Sequence, residues 1–179
     1  MVFARIGSHK GKIALVAVAV LVLALGAGAA YFEPWKLFTD TTVSEAAPTP
    51  APGSGAGAAP QLPAPLSIGR FLSHEHTTTG SLVILRLPDG SRVLRLEDLD
   101  TSDGPDLHVW LTDAPVLEGR DGWGVFDDGQ YLDLGELKGN KGSQNYTIPE
   151  GTDLAKYTSV SIWCDRFNVS FGAATLEKA

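Results

Sequence analysis

The sequence predicts an all-β fold: an antiparallel β-sandwich of seven to nine strands, preceded by one transmembrane helix and a disordered linker. Three observations lead there. After Pro65 the apolar residues recur with period two, the period of a half-buried strand. Near the start, Ile13 to Phe32 is a run of twenty residues without a charge. Between the two, Ala46 to Pro65 is almost entirely Ala, Pro, Gly, Ser and Thr.

The elements follow in chain order. Residues 1–12 carry Arg5, His9, Lys10 and Lys12 and no acid. They are expected to stay in the cytoplasm, because basic flanks are retained inside. Residues 13–32 match a hydrocarbon core about 30 Å thick, which takes about 20 helical residues. A retained signal anchor is the expectation, since the apolar run reaches full spanning length. The rival is a cleaved signal peptide, for which Ala27-Gly28-Ala29 supplies the small-x-small cleavage pattern. Either way the rest of the chain is exported. The expected localisation is therefore the cell membrane, single-pass, with the C-terminal domain outside the cytoplasm. A lipoprotein is excluded, because no cysteine lies near the span.

Residues 33–45 form a juxtamembrane segment of mixed polarity that can dock on lipid or on a partner, or simply be ordered chain. Trp35 is placed to act as an interfacial aromatic anchor. Residues 46–65 cannot bury enough apolar surface to offset their ordering entropy, so a disordered stalk is expected. As a coil it would span about 25 Å.

The folded unit is expected at 66–179. Leu94 and Leu96 share one face of a strand, with Arg95 and Glu97 on the other. Leu107, Val109 and Leu111 alternate with His108, Trp110 and Thr112. Leu132 and Leu134 flank Asp133. Gln144, Tyr146 and Ile148 share a face, as do Val160, Ile162 and Cys164, and then Phe167, Val169 and Phe171. Turn chemistry separates these runs at 88–90, 102–106, 127–129 and 149–153. The unit holds ten Lys/Arg against eighteen Asp/Glu. Such an acidic surface excludes nucleic acid as a partner, because phosphate binding needs a basic face.

Several chemistries drop out. The sequence has no G-x-S-x-G elbow, no Walker loop and no H-E-x-x-H, so it does not read as a classical enzyme. A single cysteine, Cys164, excludes an internal disulfide, a Cys-x-x-Cys dithiol and C-x-x-C-H haem attachment. His74 and His76 are two apart and would share a strand face, with His108 as a third candidate ligand, but "SHEHTTTG" is a polar loop. No metal is expected. Blue copper is disfavoured, since the only Met is Met1 and no histidine follows Cys164. The acidic run with Asp98, Asp100, Asp103 and Asp106 misses the EF-hand register and reads as a solvated turn.

Cys164 is the remaining candidate. Val160, Ile162 and Cys164 keep one phase, whereas Phe167, Val169 and Phe171 keep the other. A turn or bulge must therefore fall at or beside Cys164. Asp165 would raise the thiol pKa and Arg166 would favour the thiolate. The cysteine is expected just under the surface at the end of the sandwich, either as a redox residue or as a small core hydrophobe.

The folded unit resembles the electron-transfer DM-thirteen domain, a relative of the DOMON sandwich, over about Ser67 to Leu176. The resemblance rests on "GRF" with a following histidine and Gly80, then "PDLHVWL", "LGELKGNKGSQNYTIP" and "YTSVSIWCDRFNVSFGAATL". Cys164 stands where that family carries its cysteine. The resemblance implies a redox or electron-transfer role through a free thiol or a haem-like group, with a separate redox partner protein. The arrangement is similar to bacterial cell-envelope members. The alternative is a non-catalytic binding or structural cell-envelope domain with Cys164 as a core residue.

Overall fold

A computed structural model describes residues 7–49 and 61–179. Part of the expected basic N-terminus and most of the expected linker lie outside the described residues. The chain divides into two compact units, one ending at Trp35 and one running from Lys36 to Ala179.

The first unit is helix α1, Gly7–Phe32. Its stretch His9–Phe32 has the length and composition to cross a membrane, and a signal sequence would pass the same test. At 1.5 Å per residue those 24 residues extend for about 36 Å, enough for a hydrocarbon core. A short 3-10 turn, Pro34–Phe38, follows.

The second unit is built from two sheets. Strands β1 (Thr42–Ser44), β2 (Ala64–Arg70), β4 (Thr79–Arg86), β5 (Arg92–Asp100), β8 (Lys141–Ile148) and β11 (Glu177–Lys178) form the first, in the order β1-β8-β5-β4-β2-β11. Strands β3 (Leu72–Ser73), β6 (Leu107–Thr112), β7 (Tyr131–Glu136), β9 (Ser159–Cys164) and β10 (Val169–Thr175) form the second, in the order β3-β10-β9-β6-β7. Eight of the strands have six or more residues; β1, β3 and β11 are shorter. The pairings are antiparallel except β1 with β8, which is parallel. The architecture is the expected sandwich.

Alternation explains the main core. Leu82 and Ile84 of β4, Leu94 and Leu96 of β5, and Tyr146 and Ile148 of β8 meet Val109, Leu111, Val160, Ile162 and Cys164 of the second sheet. Hydrophobic burial of this interleaved face is what holds the sheets together. Gln144 shares that face, as its phase predicts, and is fully buried. It satisfies its amide locally: Nε2 donates to Gly139 O at 2.7 Å, and Oε1 accepts from Lys138 N and the Tyr146 hydroxyl. A buried amide so paired costs little and fixes the 137–140 turn.

Two features differ from a simple alternating sandwich. Strands β6 and β9 are buried on nearly every residue, because the excursion from Asp113 to Gln130 folds over the outer face of their sheet. It closes a second, smaller core of Trp110, Ala114, Phe126, Trp163 and Ala173. The other feature is β1. The segment 33–45, placed by the sequence ahead of the domain, supplies a strand to it. Thr42, Val43 and Ser44 pair with Lys141, Gly142 and Ser143. Gly142 must be glycine here: its φ is +92°, and a Cβ would fall on the Val43 carbonyl.

Candidate functional site

Cys164 is the last residue of β9. The chain then turns through Asp165–Asn168 and re-pairs, Val169 lying opposite Cys164. Phe167 N–H donates to Cys164 O at 3.3 Å, and Asn168 takes a left-handed φ of 50°, which asparagine tolerates. This turn is the break that the change of phase requires. A register shift follows on β10 between Ser170 and Gly172. Phe167, expected on the core face with Val169 and Phe171, instead lies in the turn and is exposed.

The Cys164 side chain is fully buried in the main core. Its Sγ–H donates to Pro105 O at 3.0 Å. Pro105 belongs to the loop that carries the chain from β5 in one sheet to β6 in the other. That loop is pinned on both sides of the proline. Asp165 N–H donates to Asp106 O at 3.0 Å. Gly104 lies so close to Phe171 that a Cβ would meet its ring at 2.8 Å. Burial raises the thiol pKa above its ordinary value. Backbone N–H groups of Phe167 and Arg166 oppose the shift, while the Asp106 and Glu75 carboxylates add to it. The group is thus held as a neutral thiol, not as a nucleophilic thiolate.

Polar side chains gather around Asp106, the residue after Pro105. His108 Nδ1 lies 2.9 Å from Asp133 Oδ2, and its Nε2 lies 3.5 Å from Asp106 Oδ1. Arg166 Nε is 3.9 Å from the other Asp106 oxygen. The three histidines therefore have separate tasks. His74 is buried, with Nδ1 at 2.8 Å from Ser170 Oγ and Nε2 at 3.1 Å from Leu117 O. The carbonyl accepts only, so Nε2 carries the proton and Nδ1 accepts from Ser170, which in turn accepts from Ser161. Desolvation lowers the His74 pKa, which favours this neutral form. His76 packs on the Phe171 ring at 3.9 Å between centroids. Among the described residues, no group of three or more His, Cys, Asp or Glu side chains is arranged to hold a metal. The acidic loop is dispersed too: Asp100 faces Lys141 at 3.6 Å, and Asp103 accepts from the Thr39 hydroxyl at 3.2 Å.

The arrangement does not fit a haem held by Cys164. An axial thiolate needs an ionised sulfur with one open face, whereas this sulfur is buried, protonated and closed by Pro105 O and the packed loop.

Sequence reasoning placed Trp110 off the core face but missed what surrounds it. Trp110 stacks on Tyr131, centroids 4.0 Å apart and planes 7° apart. On its other side it stacks on Trp163 at 5.1 Å and 26°. Both indole N–H groups are buried without a hydrogen-bond partner among the described residues. The signal available was phase: Trp110 and Trp163 both alternate away from the Leu/Val/Ile face of their strands.

No curated protein and no solved structure matches the chain. The family model described as "Electron transfer DM13" matches residues 70–176, more than half of the sequence. The matched residues run from the end of β2 through β10 and include Cys164, Trp110, Trp163 and Tyr131, and on that extent the chain belongs to the electron-transfer DM13 family.

Proposed function

We propose that this protein is a membrane-anchored electron-transfer module. Its sandwich lies outside the cytoplasm, and Cys164 is its redox residue, serving a separate redox partner protein. Family membership across 70–176 carries the proposal. The helix α1 supports the anchoring, and the basic residues ahead of it support the orientation. A solitary buried thiol narrows the chemistry. It has no second cysteine for thiol-disulfide exchange within the chain, and burial keeps it protonated. What remains open to it is a one-electron step in which an oxidised centre of the partner protein gains the electron and the thiol proton passes to water admitted when the Pro105 loop lifts.

A second reading, a non-catalytic binding or structural domain of the cell envelope, is favoured by the complete burial of Cys164. Voltammetry of the full chain in detergent, beside Cys164→Ala, separates the two. The redox proposal expects a reversible response in the parent that is lost in a folded Cys164→Ala. A parent with no response leaves the second reading standing; a folded variant that keeps the response removes Cys164 from the redox role and places the redox activity elsewhere in the chain.

A further inference from the structure

We propose that Tyr131, Trp110 and Trp163 form a one-electron relay from the surface of the second sheet to its interior. The proposal deepens the electron-transfer reading and rests on it for its biological use.

The geometry is a diagonal across three neighbouring strands. Trp110 of β6 lies opposite Asp133 of β7, so Tyr131 is its diagonal neighbour two residues back. Trp110 also lies opposite Ser161 of β9, which makes Trp163 its diagonal neighbour on the other side. The three rings therefore share one sheet face and stack in sequence at 4.0 Å and 5.1 Å. Exposure falls along the series, from 47% at Tyr131 to 3% at Trp110 and 0% at Trp163. Phe126 sits edge-on to Trp163 at 6.3 Å and helps seal the buried end.

Three properties make this more than a packed core. Tyrosine and tryptophan are the aromatic side chains most readily oxidised by one electron, and stacked rings give their π systems direct contact. Only the outer ring is open to solvent, so an oxidant reaches the series at one end. The third property concerns protons. An oxidised indole is a radical cation that tends to release its N–H proton to an acceptor. Neither Trp110 nor Trp163 has such an acceptor among the described residues, although both N–H groups are fully buried. An unpaired buried N–H is costly, and its occurrence twice in one stack calls for a reason. In this site it keeps the proton on the ring while the electron moves.

The step balances simply. A one-electron oxidant, such as an oxidised metal centre of a partner docked over Tyr131, gains one electron. The stack loses one, and the vacancy passes from Tyr131 to Trp110 and on to Trp163. Tyr131, which is exposed, gives its phenolic proton to solvent water as it is oxidised and takes one back as it regains an electron from Trp110, so its O–H bond is restored; both indole N–H protons stay in place. Trp163 is adjacent in sequence to Cys164, so the route ends one residue from the proposed redox residue.

The test uses the full chain in detergent micelles, in a Cys164→Ala background with Gln130→Cys. Gln130 is exposed and precedes Tyr131. A ruthenium polypyridyl complex is attached there and photo-oxidised by an external quencher, and the indole radical cation is followed by transient absorption. The expected result is an indole radical whose yield falls several-fold in Trp110→Phe. In Trp163→Phe the radical should form but lack the slower phase of transfer. Tyr131→Phe, at an exposed ring that the fold tolerates, should slow formation. Circular dichroism and melting establish that each variant is folded; if Trp110→Phe is not, the other two variants decide. An unchanged yield and rate in the folded variants, or a vacancy that stays on Tyr131, overturns the relay. Because the oxidant is external and Cys164 is absent, failure here leaves the redox role of Cys164 untouched. Equally, a working relay in a chain whose parent shows no voltammetric response would sink the Cys164 proposal and not the relay.

Discussion

The Cys164 thiol is buried beneath a loop that must lift before any reagent meets it. Native protein is therefore expected to resist thiol-alkylating reagents and to react stoichiometrically once unfolded, which mass spectrometry after timed labelling reads directly. Rapid native labelling would show instead that the Pro105 loop opens. Replacing Cys164 with Ala should cost about 1 kcal/mol, the scale of removing one methyl-sized group from a core. Its pKa shift also sets a pH dependence. The folded thiol holds its proton more tightly than the unfolded one, so its contribution to stability is complete below the ordinary thiol pKa. It is then lost as pH rises through the raised folded value. The parent should therefore lose more melting temperature than Cys164→Ala as pH is taken above the ordinary thiol range. Parallel curves for the two would mean that the shift is absent. At this scale the sequence was informative about phase: alternation put Cys164 on the core face and required the turn beside it. It was uninformative about His74, because a histidine in a polar loop reveals neither the Ser170 hydroxyl nor the Leu117 carbonyl that satisfies it.

Strand β1 shows what periodicity misses. Three residues are too few to display a period, and a parallel pairing with β8 leaves no turn signal between the partners. Its attachment is instead a matter of side chains. Asn140, almost fully buried, accepts from Thr41 N at 2.7 Å and donates to Asp40 Oδ1 and Thr101 O, each at 2.8 Å. Glu45 accepts from Lys138 Nζ at 2.8 Å and from Asn145 N at 2.6 Å. Its backbone carbonyl takes Arg95 Nη1 at 3.1 Å, so β1 completes the partners of a buried guanidinium on the solvent side of the first sheet. The Lys138 hydrogen bond holds the Glu45 carboxyl below its ordinary pKa, with the Asn145 contacts adding to the effect and burial opposing it. Hydrogen bonds from Asn140 and Lys141 lower Asp40 in the same way. A depressed carboxylate stabilises the fold above its unfolded pKa and ceases to as pH falls through its folded value. Hydrogen exchange at Glu45 N–H, which donates to Ser143 O, should therefore accelerate in mild acid before the main sheets open. Glu45→Ala should show the faster exchange already at neutral pH, at a cost of about 1–3 kcal/mol for lost charged hydrogen bonds. Equal exchange in parent and variant would mean that the carboxylate does not hold the strand. The second core was also hidden from the sequence. The run from Asp113 to Gln130 has the composition of a loop, and nothing in it announces that Phe126 and Val116 will cover Trp110 and Trp163.

For the whole molecule, the pairing of β1 changes the meaning of the Pro/Ala/Gly-rich segment. Composition alone made it a stalk between anchor and domain. In the fold, the chain from Glu45 to Ala64 joins β1 to β2, and both strands belong to the same sheet. The segment is thus a connection within the domain. Helix α1 leads instead into Lys36–Glu45, which is itself bound to the domain: Lys36 Nζ donates to Gly104 O at 3.3 Å, and Lys141 Nζ lies 3.1 Å from Asp40 Oδ2. Cleavage distinguishes the two arrangements. A site for a specific protease is placed within residues 50–60, and membranes carrying the full chain are cut at neutral pH. With α1 as the proposed anchor, a stalk would release the C-terminal fragment into the supernatant at once. A clipped domain should stay with the membranes, held by β1, and should come away when the wash is acidified or when the chain also carries Glu45→Ala. Immediate release at neutral pH from the otherwise unchanged chain would show that β1 does not hold the domain and that the segment serves as a stalk.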